Sequence, residues 1–478
     1  MKTRVSDWLK KRIPLPPPKR TPASPLVRTL RRLFLLFTLL VLGSFTLWRA
    51  LLAKEISSRF ARIRAAGFPT SGAELNAWRA TVPDAENGAL VLTQAFALAQ
   101  ASTGRFKGMD DPDLLNRTNT WPAVTRALVE DYVQTNAPAL AKAREALMLP
   151  KFRYSVDFAY GPDAQMPHLS HLKEIARIAA LKAALDAENG LSDRWPEEVD
   201  LQLRLATTLD DEPTLISHLV RLAMIRLAVR TTERSLNRVT PNVQLCQKLQ
   251  AAFTRAGETN LLPLALVGER AMCIPVFRLS WAEIQSVSKD GELEGQPRKP
   301  QRYSGKPMPF LWFTGFFERD LDLFLQTMEK SVSLAALPFP ASLTLTNYLE
   351  AASRAAQKNA CILSGMLLPS LSRIVVREAA TEAAIRLAAT ALTVERFRAD
   401  RGRLPDNLSE LTPQFLDALP PDPFDGAPLR YRRLTNGYVI YSIDADGHDD
   451  GGREPPAPKK STDTNSYDIT FLVEQPAL

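Results

Sequence analysis

The sequence predicts a mainly α-helical fold: a membrane-anchored, irregular α-helical array followed by a small α+β module with a three-stranded antiparallel sheet. Three observations predict it. An uncharged apolar stretch lies near the N-terminus, and helical periodicity continues from Ser71 to about Gly402. Strand-like segments around a hairpin turn follow only after that point. With 478 residues, the chain is long enough for at least two folded units.

The positive charge of the chain is concentrated at its start. The net charge is +8, but the first 32 residues carry ten lysines and arginines against Asp7 alone. The remaining chain therefore has a net charge of −1. A near-neutral body lacks the broad basic surface that binding to a phosphate backbone requires, so we expect no nucleic-acid partner.

Residues 33–53 are predicted to form one transmembrane helix. Leu33 to Trp48 contains no charged residue but would span only about 24 Å, at 1.5 Å per residue. Continuing to Ala53 extends the span to roughly 32 Å, with Arg49 snorkelling towards the far interface. By the positive-inside rule, the basic tail of residues 1–32 stays in the cytoplasm. We therefore predict a single-pass inner-membrane protein whose bulk is extracytoplasmic, in the periplasm.

A cleaved signal peptide is the alternative interpretation of this segment. Arg31-Arg32, followed by an apolar run, resembles a twin-arginine export motif. The segment is long and rich in Leu and Phe, however, and no convincing small-x-small cleavage site follows it. An uncleaved anchor is the prediction, and both interpretations export the body. The proline-rich stretch Ile13–Pro25 predicts an extended tail.

Residues 54–370 are predicted to form an α-helical extracytoplasmic domain. Ser71, with Glu74 three residues later, is a capping box, and Pro122, Pro167 and Pro213 lie where helices should begin. Asn189-Gly190 predicts a helix end.

Two similar helical segments suggest repeated helical hairpins within this domain. His171–Ile178 and His218–Ile225 are offset by 47 residues, which is near the period of armadillo or HEAT repeats. A single pair supports only an irregular array. The polar, Gly- and Pro-rich stretch Lys289–Pro309 predicts a surface loop.

The helical domain offers few catalytic candidates. His168 and His171 are three residues apart and form a possible pair of metal ligands, but no third ligand is identifiable, so capping or surface roles are expected. Glu269 is a further acidic candidate, while Asp210–Glu212 is explained as a cluster that favours a helix N-terminus. No P-loop or GxSxG motif is present.

The three cysteines are far apart in sequence and lie in apolar helical stretches: Cys246, Cys273 and Cys361. They have no CxxC spacing, so no metal knuckle is predicted. Two of them could pair in an exported chain, but buried free thiols are the prediction.

Residues 371–478 are predicted to form the α+β module. An alanine-rich helix spans Ser372–Asp400 and should end at Gly402. Leu408–Leu411 predicts a short helical turn. Three strands follow, at Leu429–Arg432, Tyr438–Ser442 and Asp468–Val473, with an Asn436-Gly437 hairpin turn between the first two.

The order of these segments resembles the globular part of type II secretion major pseudopilins. The motifs that carry the resemblance are, in order, Gly402–Pro405, Pro421–Phe424, Tyr441–Gly447, Gly451-Gly452 and Asp468-Ile469. The resemblance covers roughly the last quarter of the chain, and it implies a pilin-like fold. The whole chain resembles uncharacterised bacterial single-pass membrane proteins, which implies no activity.

Pseudopilins of this kind hold calcium in the corresponding acidic loop, and the resemblance assigns Asp446 and Asp468 to that role. The residues themselves agree, because Asp444, Asp446, Asp449 and Asp450 place four carboxylates on a glycine-rich loop that suits a hard cation. A solvated acidic turn is the alternative. The loop is not an EF-hand, and the insertion Arg453–Asn465 lengthens it relative to the family pattern.

One departure limits what the resemblance implies. The peptidase site of pseudopilins, a glycine followed by an aromatic residue or Met and then a glutamate, is missing: Gly43–Leu47 lies inside the span and has no glutamate.

Three functional hypotheses follow. The first is a non-enzymatic scaffold that binds a protein partner in the cell envelope, with a possible structural calcium site. The second is an accessory component of a type II secretion or pilus-like assembly. The third is a hydrolase that uses His168, His171 or Glu269.

Overall fold

The computed structural model describes residues 25–278, 313–454 and 467–474. The predicted loop Lys289–Pro309 and residues 1–24 of the predicted tail lie outside the described residues. So does most of the insertion Arg453–Asn465. The described chain divides into two compact units, residues 1–55 and 56–478.

The fold is mainly helical with one small sheet, as predicted. The α-helices, in chain order, are α1 (Pro25–Ala65), α2 (Gly72–Trp78), α3 (Gly88–Leu98), α4 (Ala123–Thr135), α5 (Ala137–Ala146), α6 (His168–Glu188), α7 (Trp195–Thr207), α8 (Leu215–Leu236), α9 (Val243–Glu258), α10 (Leu262–Cys273), α11 (Phe316–Ala335), α12 (Thr344–Lys358) and α13 (Ile362–Arg401). The strands are β1 (Arg430–Leu434), β2 (Gly437–Ser442) and β3 (Ile469–Glu474).

Helix α1 contains the predicted transmembrane segment and is by itself long and apolar enough to cross a membrane. It runs for 41 residues, and its apolar stretch is not buried by the rest of the chain. Leu36 and Phe37, for example, are 62% and 64% exposed. Such a surface is costly in water and favourable in lipid.

The predicted helix boundaries of the body are confirmed where local chemistry sets them. Ser71 Oγ accepts the backbone N–H of Glu74 at 3.1 Å and caps α2. Helices α4 and α6 begin directly after Pro122 and Pro167, and α6 ends before Asn189. Gly402 ends α13 with a φ of 68°, the left-handed conformation that favours glycine.

Helix α13 is the element that joins the helices to the sheet. It packs against α8, α9 and α12 and also contacts β2 and β3. Its buried faces carry small side chains such as Ala388 and Ala391, which let neighbouring elements approach closely. The boundary predicted at residue 371 lies within this helix, and the sheet belongs to the same core as α6–α9. The division into domains 54–370 and 371–478 stays a prediction.

The sheet is antiparallel with β2 in the centre, and its register follows from alternate burial. Tyr438 and Ile440 of β2, with Phe471 and Val473 of β3, face the shared core. Val439, Tyr441 and Leu472 form a smaller cluster separate from that core. Strand residues alternate between the two faces of a sheet, so a shift by one residue would exchange them.

The hairpin turn differs from the prediction by one residue. Leu434 pairs with Gly437, so Thr435 and Asn436 form the turn and Gly437 begins β2. Neither turn residue has a positive φ, which excludes the predicted type of turn that favours Asn-Gly. Gly437 is needed for packing instead, because a Cβ atom there would lie 1.8 Å from the carbonyl oxygen of Val473.

The outer edge of β3 is closed by Glu233 of α8 and by Asn237, the residue that follows this helix. The backbone N–H of Leu472 donates to Glu233 at 2.8 Å, and the carbonyl of Leu472 accepts from Asn237 at 2.8 Å. The N–H of Glu474 donates to Asn237 at 2.7 Å. An unpaired strand edge invites association with other chains, so these bonds both protect the edge and fix the sheet on α8.

Burial of Glu233 makes this contact sensitive to pH. Burial raises the pKa of Glu233 from 4.5 to about 7, although the hydrogen bond from Leu472 opposes the shift. A raised pKa in the folded state stabilises the fold below the unfolded value, and this stabilisation is lost as the pH rises through the folded value.

We predict that E233Q weakens the pH dependence of folding. As the pH rises from 4.5 to above 7, the free energy of unfolding of the wild type should fall relative to E233Q by about 3 kcal/mol. Denaturant titrations of the full chain in detergent at several pH values measure this difference. E130Q, at an exposed glutamate of α4, should follow the wild type. Parallel curves for E233Q and wild type would contradict the prediction.

Candidate functional site

The acidic loop follows β2 and returns to β3. Asp444 has a φ of 57°, which turns the chain away from the strand. Asp446 accepts the N–H of His448, and Asp449 accepts the N–H of Gly451, both at 2.9 Å. These side chains therefore make local turns of the kind that aspartate favours.

Asp468 is the buried member of the predicted calcium site. Its Oδ2 accepts the N–H of Gly452 at 2.7 Å, while its Oδ1 is buried without a hydrogen-bond partner. Burial raises the pKa of Asp468, and the neighbouring carboxylates Asp449 and Asp450 raise it further. A cation bound at Oδ1 would relieve both effects.

An arginine that sequence analysis did not identify lies on the same side of the sheet. Arg430 of β1 contacts Asp422 at 2.7 Å and Asp449 at 3.5 Å, and it also bonds Asp425. Asp422 is fully buried and accepts from Ser442 Oγ at 2.8 Å. In the sequence, Asp422 was marked by its position between two prolines, in the motif Pro421–Phe424. Arg430 thus supplies positive charge to the end of the loop that Asp449 occupies.

The described residues do not bring three acidic, histidine or cysteine side chains together as a metal-binding group. Asp444, Asp446, Asp449 and Asp450 share one loop, and among them Asp449 lies close enough to Asp468 to affect its pKa, as does Asp450. The calcium assignment stays a prediction.

A second group of polar side chains surrounds His168, for which a capping or surface role was expected but which is buried. His168 is 7% exposed, and its Nε2 lies 2.9 Å from Oε1 of Glu212. Ser217, in the first turn of α8, donates to the same oxygen. The cause is tertiary: Pro167 begins α6 beside the segment that leads into α8, so the imidazole meets a carboxylate 44 residues away.

Aromatic and cationic side chains complete this buried network. The ring of Tyr154 stacks on His168 with centroids 4.2 Å apart, and its hydroxyl bonds Thr208 Oγ1 at 2.8 Å. Arg79 lies 4.0 Å from Oε2 of Glu212 and over the ring of Phe158. The network is enclosed, so its contacts fix α6, α7 and α8 relative to one another.

The other candidates have separate partners. His171 is exposed and stacks on Phe96, with centroids 5.2 Å apart. His218 of α8 bonds Glu378 of α13. Glu269 accepts from the thiol of Cys273 at 3.3 Å, and burial raises its pKa. The structure thus gives His168, His171 and Glu269 no common contact among the described residues.

All three cysteines are free and buried, as predicted. Burial raises the pKa of Cys246 to about 12, and it raises the pKa values of Cys273 and Cys361 as well. Protonated buried thiols are poor nucleophiles.

A cleft of about 530 Å³ lies between α7 and α9. Its charged lining residues include Asp200, Arg204 and Arg255, and Asp200 interacts electrostatically with both arginines. Arg204 also donates to the carbonyl of Leu147. Asp200, Arg204 and Arg255 therefore already have partners within the protein.

Comparison with known protein families, curated proteins and solved structures gives no match for this chain.

We predict that E212A destabilises the fold, because it leaves His168, Ser217 and Arg79 without their shared buried acceptor. The free energy of unfolding should fall by about 3 kcal/mol. E130A, at an exposed glutamate of α4, is the control and should change it by less than about 0.5 kcal/mol. Urea titration of both variants compares them, and equal stabilities would rule out a structural role for the network.

Proposed function

We propose that this chain is a single-pass membrane protein that acts as an extracytoplasmic scaffold for a protein partner in the cell envelope. The observation that supports the proposal is the exposed apolar stretch of α1, which is long enough to cross a membrane. The ten basic residues before it favour a cytoplasmic N-terminus in the inner membrane.

The contacts of the catalytic candidates support a scaffold over a hydrolase. His168 is held by a carboxylate, His171 stacks on Phe96, and Glu269 bonds a protonated thiol. A general base must reach a substrate proton, yet His168 is enclosed by Tyr154 and Glu212. The described residues therefore supply structural pairs where a hydrolase needs an open site.

We predict that a reporter fused after residue 100 is active only outside the cytoplasm. A periplasmic alkaline phosphatase fusion should be active, and a cytoplasmic fluorescent reporter at the same position should be dark. The opposite pattern would overturn the proposed topology.

Cross-linking of the full chain in intact membranes should then capture a specific envelope protein, and its failure to capture any would contradict the scaffold role.

A second candidate function is an accessory role in a type II secretion or pilus-like assembly. It is favoured by the packing of the long helix α13 on the antiparallel sheet and by the acidic loop between β2 and β3. This order of elements supports a pilin-like module. Secretion components should co-purify with the tagged full chain from detergent-solubilised membranes, and their absence would dismiss this role while leaving the scaffold intact.

The acidic loop supports a structural calcium ion in this module. Asp468, through its unpartnered Oδ1, would hold the ion with oxygens of the Asp444–Asp450 loop. Burial, together with repulsion from Asp449 and Asp450, raises the pKa of Asp468, and the ion would offset both effects.

We predict that calcium raises the melting temperature of the full chain relative to a chelator, because the ion binds only the folded state. At 100 times Kd the stabilisation is about 2.7 kcal/mol. D468N should abolish the effect, while D417N, at an exposed aspartate outside the loop, should retain it. Identical melting curves with calcium and with EGTA would refute the site. The full chain is used because α13 shares its core with α8 and α9.

A further inference from the structure

Helix α8 has an outward face that no described element covers completely. Its residues recur at spacings of three and four, which places them on one side of the helix. Each of these residues is half-buried or exposed; in chain order they are Ile216, Leu219, Ala223, Arg226, Leu227 and Arg230. The opposite side of α8 carries buried residues such as Ile225 and Thr232. Among residues 25–278, 313–454 and 467–474, this side of α8 therefore keeps exposed surface.

Cations on the two neighbouring helices extend this face. Lys173 and Arg177 of α6 line a cleft together with Arg230, and Arg373 and Arg377 of α13 line a second cleft with Ile216 and Leu219. We define the basic face by its six cations, Lys173, Arg177, Arg226, Arg230, Arg373 and Arg377. Two of them lie near carboxylates among the described residues: Arg226 interacts electrostatically with Asp444, and Arg230 with Glu233.

The cations in the middle of the face affect one another. Burial lowers the pKa of Arg226, and the positive charges of Arg230 and Arg377 lower it further, while Asp444 raises it. Arg226 on α8 thus lies close to a cation of α13 as well as to Arg230 on its own helix. An excess of positive charge on one face favours the approach of an anionic partner.

Both clefts combine this charge with apolar walls. The first, of about 150 Å³, has Leu115, Leu181 and Met224 in its lining, and the second, of about 360 Å³, has Leu371 and Ile374. Carboxylates also line them: Asp110 and Asp111 the first, and Glu269 the second. Cations outnumber carboxylates in each cleft, so the face remains positive.

We propose that the basic face binds an acidic amphipathic helix of a protein partner. This inference rests on the proposed scaffold function and names the chemistry of its partner. From Ile216 to Arg230 the face is about 21 Å long, which matches four turns of a helix. Carboxylates of such a helix would meet the six cations, and its apolar residues would enter the two clefts, as in other helix-in-groove complexes.

The apolar clefts distinguish this occupant from a simple polyanion. A phosphate-rich chain would use the cations but would leave Ile216 and Leu219 exposed. A flat anionic lipid surface would likewise not enter the clefts. The contribution of the apolar side chains is therefore the quantity that an experiment must isolate.

The test uses the full chain in zwitterionic nanodiscs and a designed 18-residue peptide with glutamates on one face and leucines on the other. Its binding is measured by fluorescence anisotropy. R226E/R230E/R377E should raise Kd at least tenfold, and I216N should raise it several-fold with all six cations intact. The matched control R105E/R354E/R432E reverses three exposed arginines on other elements and should leave Kd within twofold.

Two outcomes would overturn the proposal. The first is equal affinity for a scrambled peptide of the same composition, with I216N unchanged, because it indicates binding of any polyanion. The second is stronger, R226-dependent binding of phosphatidylglycerol vesicles, which indicates a lipid ligand.

The membrane cross-linking experiment separates this inference from the scaffold function. If R226E/R230E/R377E captures the same partner as the wild type, the basic face is not the docking site and the scaffold role stands. If the wild type captures no partner, the scaffold role itself fails.

Discussion

The closure of the β3 edge by α8 is the contact on which the arrangement of the C-terminal half depends. Glu233 and Asn237 satisfy backbone groups of Leu472 and Glu474 that would otherwise remain unpaired in a partly buried position. A three-stranded sheet has little stability alone, so it requires a packing surface and protected edges. Helix α8 supplies the edge contact, and α13 supplies part of the packing surface.

Helix α8 also contributes to a buried network and to an exposed surface. Its N-terminal turn, through Ser217, joins the buried network of Glu212 and His168, which holds α6 and α7 in place. Its outward side presents Arg226 and Arg230. A single 22-residue helix thus joins the sheet, the helical core and the proposed docking surface. A substitution that shifts α8 at one of these contacts is expected to alter the geometry of the others, because packed cores deform little.

The sequence predicted those features that depend on neighbouring residues. Serine and proline mark the starts of α2, α4 and α6, and the left-handed Gly402 marks the end of α13, because the physical cause of each lies within one helical turn. The strands were placed within two residues by their alternation. The alanine-rich helix was placed correctly at its end, but Pro369 lies inside it and its start is ten residues earlier than predicted.

Features that depend on distant contacts were missed. The pair His168–Glu212 joins residues 44 positions apart, and Glu233 meets Leu472 across 239 positions. Nothing local marks these residues, so a capping or surface role was expected for His168. Gly437 was assigned to a turn since Asn-Gly usually forms one, but the carbonyl of Val473 occupies the space of its missing side chain. Whether Asp468 faces a cation depends on the same long-range packing.

The buried free thiols also constrain how the chain reaches its folded state. Cys246 lies in α9, Cys273 ends α10 and Cys361 precedes α13, and all three are enclosed only after these helices have packed. In an oxidising compartment an unfolded chain would expose three reactive sulfur atoms that the native state never joins. Burial within packed helices therefore keeps the three thiols apart in the folded chain, and unfolding under oxidising conditions would expose them to mispairing.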